Sequence, residues 1–287
     1  MPRLHLFELE DQPWFPALIR DAGSAYLELV SRLAGHAKAI APVLARALRR
    51  SGEDRIVDLC SGGGGPLPTA LSIIARQQGR TLSATLTDLY PSRDAFERMT
   101  RNHPAVTAEF RSIDATCVPS NLKGLRTIFN GLHHFRPAEA KAILASAVED
   151  RVPIAIFEVV ARHPLALLGM LFVPFGTLMI VPFLRPFRWS WIPLTYLVPI
   201  IPLFIFWDGS VSCLRCYNQD ELREMTADLT SDDYEWEIGG LDLPGAPFKG
   251  VYAIGSPTRC ERTRNRPPAK SDSPSRLQAR SPRLDVG

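Results

Sequence analysis

The chain has 287 residues, long enough for one large domain with an insertion or for two small ones. Its net charge of +3 is misleading: residues 261–287 hold seven basic residues against three acids, which leaves the rest at −1 and no electrostatic footprint for nucleic acid. Five cysteines, an odd number without framework spacing, argue against a disulfide scaffold and for a reducing compartment.

In chain order, residues 1–11 lack the apolar run of a signal peptide. A helical lead-in is predicted up to residue 51. Within it Leu27, Val30, Leu33, Ala34, Ala37, Val43, Leu44 and Leu48 recur at three- and four-residue steps, the pattern of an amphipathic helix pair. Gly52 closes it, and Trp14 and Phe15 are expected to anchor it to the main domain. A short apolar strand from Ile56 then leads through Asp58, Leu59, Cys60 and Ser61 into four glycines, Gly62 to Gly65, and an apolar helix over residues 67–74. Glycines let a backbone approach a ligand closely. The helix that follows offers free N–H groups and a partial positive charge to an anionic group. A flexible linker would have no need of the flanking strand and helix. The dinucleotide fingerprint Gly-x-Gly-x-x-Gly is incomplete, because its third glycine falls on Leu67.

The glycine stretch resembles motif I of the class I S-adenosylmethionine-dependent methyltransferases. Asp58, Cys60, Gly62 and Gly64 stand where that family has acid-x-Gly-x-Gly-x-Gly, with Cys60 replacing the first glycine. The resemblance implies S-adenosylmethionine as cofactor. In that family N-terminal helices often cover the cofactor, so Trp14 or Tyr26 could form a lid, with plain core packing as the competing reading for each.

Residues 81–87 alternate as a strand does and end at Asp88, where an acid can grip a ribose diol by two hydrogen bonds. The competing role for Asp88, capping a helix over residues 92–101, is one that Ser92 can fill. After a strand over residues 106–111, Asp114 and Ala115 resemble the family motif whose acid faces the adenine amino group. Strand four runs over residues 127–130 into Leu132-His133-His134-Phe135. This resembles the strand-four motif of small-molecule methyltransferases, including the quinone and sterol types, which places Asn130 beside the sulfonium. His133 and His134 are neighbours, so on an extended segment they point to opposite sides and at most one faces the site. A helix over residues 137–148 and an apolar strand over residues 152–160 follow. If the acceptor must lose a proton, His133, His134 and Glu158 are the candidate bases. A local structural role competes for each. No metal site is expected, because Cys213 and Cys216 have no partner pair.

Residues 164–184 and 189–207 carry no charge, and each run is near the length that spans a bilayer. Trp189, Trp191, Tyr196 and Trp207 are aromatics of the type found at membrane interfaces. Pro174, Pro182, Pro193, Pro199 and Pro202 stand against clean spanning helices. Membrane contact, as two spans or as a re-entrant or interfacial hairpin, is the leading reading. A buried cap over a greasy pocket is the other. Asn218 and Glu221 form a capping box for a helix from Gln219, and residues 234–238 and 250–254 read as a final antiparallel pair.

The expected fold is α/β: a Rossmann-like, mostly parallel sheet with a closing antiparallel edge hairpin, N-terminal helices, and a hydrophobic hairpin insertion after strand five. Its parts are a lead-in (1–51), a methyltransferase-like domain (52–260) interrupted by the insert (164–207), and a disordered basic tail (261–287). The expected activity is methyl transfer to a small apolar or lipid-like acceptor at the bilayer, with the catalytic domain on the cytoplasmic side. Two other readings stay open. An NAD(P)-dependent oxidoreductase is weakened by Leu67 and the lack of a Tyr-x-x-x-Lys pair. The other is a non-catalytic, membrane-associated cofactor-binding protein.

Overall fold

The computed structural model describes residues 1–258, so the tail expected at residues 261–287 lies outside the described residues. The centre of the sheet is β1 (Arg55–Leu59), with all but its first residue buried. Its side chains alternate between two cores: Ile56 packs on one face of the sheet and Val57 on the other. Strand β1 pairs in parallel with β2 (Ser83–Leu86) and β4 (Leu125–Phe129). Outward lie β3 (Val106–Ala108) beside β2 and β5 (Ile154–Glu158) beside β4, both parallel. The sheet closes with β7 (Lys249–Pro257) antiparallel to β5 and β6 (Tyr234–Asp242) antiparallel to β7, giving the order β3-β2-β1-β4-β5-β7-β6. This is the mostly parallel α/β sheet with an antiparallel edge hairpin that the order of elements predicts. The hairpin strands are longer than expected, and β3 stops after three residues.

Helices cover both faces. On one side α2 (His36–Ser51), α3 (Leu67–Gln78) and α4 (Arg93–Asn102) bury Leu44, Leu48, Leu71, Ile74 and Phe96. On the other, α5 (Pro137–Glu149) and α10 (Gln219–Thr226) bury Ile143, Leu144 and Leu222. The Asn218–Glu221 capping box opens α10 as expected, and Gly52 ends α2 in the left-handed conformation. Ser92 stands at the N-cap of α4, but its hydroxyl makes no cap bond.

The lead-in is the helix pair α1 (Ala17–Leu33) and α2. Phe15, which is 7% exposed, anchors it to the insert and not to the main domain as expected, and Trp14 is 69% exposed. Phe15 meets Phe204 with ring centroids 4.8 Å apart, and Tyr26 is buried in the same core.

The insert is a succession of short helices. It comprises α6 (Pro164–Met170), α7 (Val173–Ile180), a 3-10 turn (Val181–Phe183), α8 (Trp191–Tyr196) and the first half of α9 (Ile200–Arg215). No single helix among the described residues is long and apolar enough to cross a membrane, and the path bends by 47° between α6 and the segment from α7 to Phe183. Proline is the physical reason. Pro174 and Pro182 sit in the first turns of their elements and Pro199 caps α9, so each run restarts where the ring denies a backbone donor. Val181, Leu184, Trp191, Ile201 and Phe204 from the insert pack on Ile19, Ala22 and Tyr26 of α1 as a third core above the carboxyl ends of the strands.

Candidate active site

The glycine turn leaves β1 through Cys60, whose φ of 56° is left-handed, as are those of Gly62 (52°) and Gly64 (91°). A left-handed residue at position 60 explains why a glycine suits it best and why a small side chain is tolerated. Burial first, then the Asp88 and Asp58 carboxylates, push the Cys60 thiol up and keep it protonated.

Asp58 lies beneath the turn, 2% exposed. Its carboxylate accepts from Thr127 Oγ1 at 2.6 Å and Ser61 Oγ at 2.7 Å, while Thr87 N donates to its carbonyl at 2.8 Å. It therefore ties β1, β2 and β4 together below the ligand side. Burial pushes its carboxyl up to about 7 despite the two hydroxyl donors. Asp88, at the tip of β2, accepts from Gly62 N at 2.9 Å and Tyr90 N at 2.8 Å. Asn130 turns left-handed at the tip of β4 (φ 49°), and its Oδ1 accepts from Val159 N at 2.7 Å.

These strand tips open on a cavity of about 490 Å³. Cys60, Gly62, Asp88, Asn130 and His134 line it, with Glu10 and Asp11 from the N-terminal segment and Arg188 and Trp191 from the insert. A methyl group on Gly62 would project into open space. The other positions singled out in the sequence are not part of its wall. Asp58 is below the turn. Gly64 faces Met99, whose Cγ would lie 3.0 Å from a Cβ there. Asp114 is exposed and accepts from Thr116 N and Oγ1 in its own loop. Ala115 is buried in the core under α5.

The two histidines do not point to opposite sides. Leu132–His134 is a 3-10 turn, not an extended segment, and the two rings lie side by side, tilted by 30° with centroids 4.4 Å apart. His133 is buried, and its Nδ1 lies 2.7 Å from Glu158 Oε2. Glu158, fully buried, also accepts from Leu132 N and His133 N. That pair holds the turn from behind and is absent from the cavity wall. His134 stands in the wall.

Four residues remote from it in the chain, Glu8, Glu10, Asp11 and Arg215, complete the surroundings of His134. Its Nδ1 lies 2.8 Å from Asp11 Oδ1 and 2.9 Å from Glu8 Oε2. Arg215 Nη1 lies 2.6 Å from Asp11 Oδ2 and 3.1 Å from Glu8 Oε2. His134 Nε2 has Glu10 Oε1 at 3.7 Å. Burial alone would lower the imidazole, but Glu8, Asp11 and Glu10 outweigh it and raise His134 well above 6.5. Burial would raise Asp11, but the hydrogen bond and charge of His134, then Arg215, hold it down at about 2. Glu8, His133 and His134 lie close enough to share a metal ion. His134 Nδ1 and Arg215 Nη1 each stand within ion-pair distance of both carboxylates, so the group reads as an ion-pair network.

No protein-family model matches the chain, and no curated protein does. Solved structures do resemble it. The plantazolicin methyltransferase BpumL in complex with SAH superposes with a TM-score of 0.51 at 12% identity, over 84% of this chain and 96% of that one. The same enzyme with a monoazolic desmethylPZN analog and SAH gives 0.52 at 13%, over 84% and 90%. At such identities the likeness is one of fold: the chain has the class I methyltransferase fold.

Proposed function

We propose that this protein transfers a methyl group from S-adenosylmethionine to a small apolar acceptor taken from a membrane surface on the cytoplasmic side. The observation that carries the reading is the cavity itself. One wall is the glycine turn with Asp88 and Asn130, the facing side holds Pro186, Arg188 and Trp191 of the insert with Glu10 and Asp11 of the N-terminal segment, and both meet at the carboxyl edge where ligands bind in such sheets. When bound, the cofactor supplies an electrophilic methyl. Gly62 and Gly63 would let it approach the backbone, Asp88 would receive its ribose hydroxyls, and the insert and N-terminal segment exclude water and align the acceptor.

The membrane part of the proposal rests on α7. Val173, Thr177, Ile180, Val181 and Leu184 form the stripe on the α1 side, of which Thr177, Val181 and Leu184 are buried. Residues at steps of three and four on the other side, Phe172, Phe175, Met179 and Phe183, are 68–73% exposed. A helix apolar all round belongs in a core or against lipid. Burying such side chains is worth about 1.5–3 kcal/mol each. The free thiols of the described cysteines fit a cytoplasmic site.

Calorimetry with S-adenosylmethionine tests the cofactor. Wild type should bind, and Asp88→Ala should weaken binding by about 1.5–3 kcal/mol through lost charge-assisted hydrogen bonds. A folded variant with unchanged affinity removes Asp88 from the site, and no binding by wild type overturns the reading.

A further inference from the structure

Residues 3–11 run as a strap between the insert and the cavity. Leu4 N donates to Leu214 O at 3.1 Å, and Arg215 Nε donates to Leu6 O at 2.6 Å. Leu9 N and Glu10 N donate to the two carboxylate oxygens of Asp208, each at 2.9 Å, and Ser212 Oγ donates to Glu8 Oε1 at 3.0 Å. Helix α9 thus fixes the strap at several points and presents its acids to His134. What results is an imidazole with two carboxylates at Nδ1 and an Nε2 whose nearest ion-pair partner, Glu10 Oε1, stands 3.7 Å away across the cavity wall.

We propose that the N-terminal strap completes the active site: Asp11 and Glu8 are positioning residues that hold His134 by Nδ1, and His134 Nε2 takes the proton of a hydroxyl-bearing acceptor. The inference rests on the methyl-transfer reading and narrows it to oxygen nucleophiles. In the step, the acceptor oxygen forms a bond to the methyl carbon as the carbon–sulfur bond breaks. The sulfur keeps that electron pair and loses its charge. The hydroxyl proton passes to Nε2 and then to solvent, which reaches His134 through the quarter of its side chain that is exposed. Carboxylate at one ring nitrogen and reacting hydroxyl at the other is the geometry that sets tautomer and direction in a hydrolase triad. His133, although its Nδ1 also meets a carboxylate, Glu158, cannot substitute because it lies outside the cavity wall.

The groups facing His134 set its titration: Glu8, Glu10 and Asp11 on the strap, Arg215 on α9, and His133 with Glu158 behind it. The carboxylates keep the ring charged near neutrality, so transfer rises with pH as the ring loses its proton. Three readouts on the full chain test this. Calorimetry with S-adenosylmethionine should still register binding in wild type, Asp11→Asn and Glu8→Gln, because Gly62, Gly63 and Asp88, the groups assigned to the cofactor, are unchanged in both variants. Histidine NMR titration should show the His134 midpoint displaced to lower pH in both variants. Methyl transfer to 1-naphthol should exceed transfer to 1-naphthylamine. Its ascending pH limb should move down in Asp11→Asn and vanish in His134→Gln with a loss of about 10²–10⁴-fold. Glu8 is fully buried and its variant risks misfolding, whereas Asp11 is partly exposed and carries the test alone. An unmoved His134 midpoint in Asp11→Asn, or preference for the amine, overturns the inference while leaving methyl transfer standing. Loss of S-adenosylmethionine binding by wild type would instead overturn the reading beneath it.

Discussion

Asp58 shows how a motif residue can act without facing a ligand. It matches the acid of the glycine motif, yet its oxygens are spent on Thr127 and Ser61, and the ligand side of the turn is built from Gly62, Gly63 and Asp88. Its carboxyl titrates at about 7, raised by burial, against about 3.9 in an unfolded chain. The folded state therefore holds an extra proton between those values. The stability linked to it is fully present below about pH 4 and lost as pH rises through 7. Asp208, also raised to about 7 by burial, adds a second loss of the same sign. Asp58→Asn should remove part of the fall in melting temperature between about pH 5 and 8 and leave the share due to Asp208. Scanning calorimetry at several pH values reads this, and an unchanged slope would mean that Asp58 is ionised in the neutral protein.

At the level of elements, what could be read from the sequence was whatever is encoded locally. The glycine turn, the Asn218–Glu221 box and the apolar strands each depend on residues within a few positions of one another, and each stands where expected. The insert was read by composition, which registers an absence of charge but not where the chain bends. Its prolines decide that, and they convert two runs of spanning length into short helices with one stripe in a core and one outside. The outer stripe of α7 carries its own expectation. Phe175→Glu with Met179→Glu adds two charges on positions 68% and 73% exposed, so folding should be spared. Sedimentation with phosphatidylcholine vesicles should fall by at least about tenfold, since each charge opposes apolar transfer by more than 1.4 kcal/mol. Binding of S-adenosylmethionine should not change. Equal sedimentation of variant and wild type would release α7 from that role, and a wild type that dimerises without binding vesicles would assign the stripe to a second copy of the chain.

For the molecule as a whole, the order of strands and helices could be read because consecutive elements neighbour one another in such sheets. The ring of charges around His134 could not. Asp11 lies 123 positions from His134 and Arg215 lies 204 from Asp11, and no periodicity links residues that far apart. Only the packed fold brings the strap, the strand-four turn and α9 to one place. The same fold gives the molecule a direction. The insert rises from the carboxyl edge of the sheet, beside the cavity, whereas exposed Lys123 precedes β4 at the amino edge. A protein that takes its acceptor from a bilayer should therefore dock with the carboxyl edge down. With the exposed Cys117 and the tail Cys260 changed to serine, a polarity-sensitive fluorophore on Phe175→Cys should shift to the blue on vesicles and be quenched by lipid-borne nitroxide. The same fluorophore on Lys123→Cys should do neither. High salt should leave the signal at residue 175 intact, because apolar burial is not screened. Equal quenching at both positions would mean adsorption without orientation, and a signal at residue 175 that disappears in salt would make the contact electrostatic; either result removes the bilayer as the route by which the acceptor reaches the cavity.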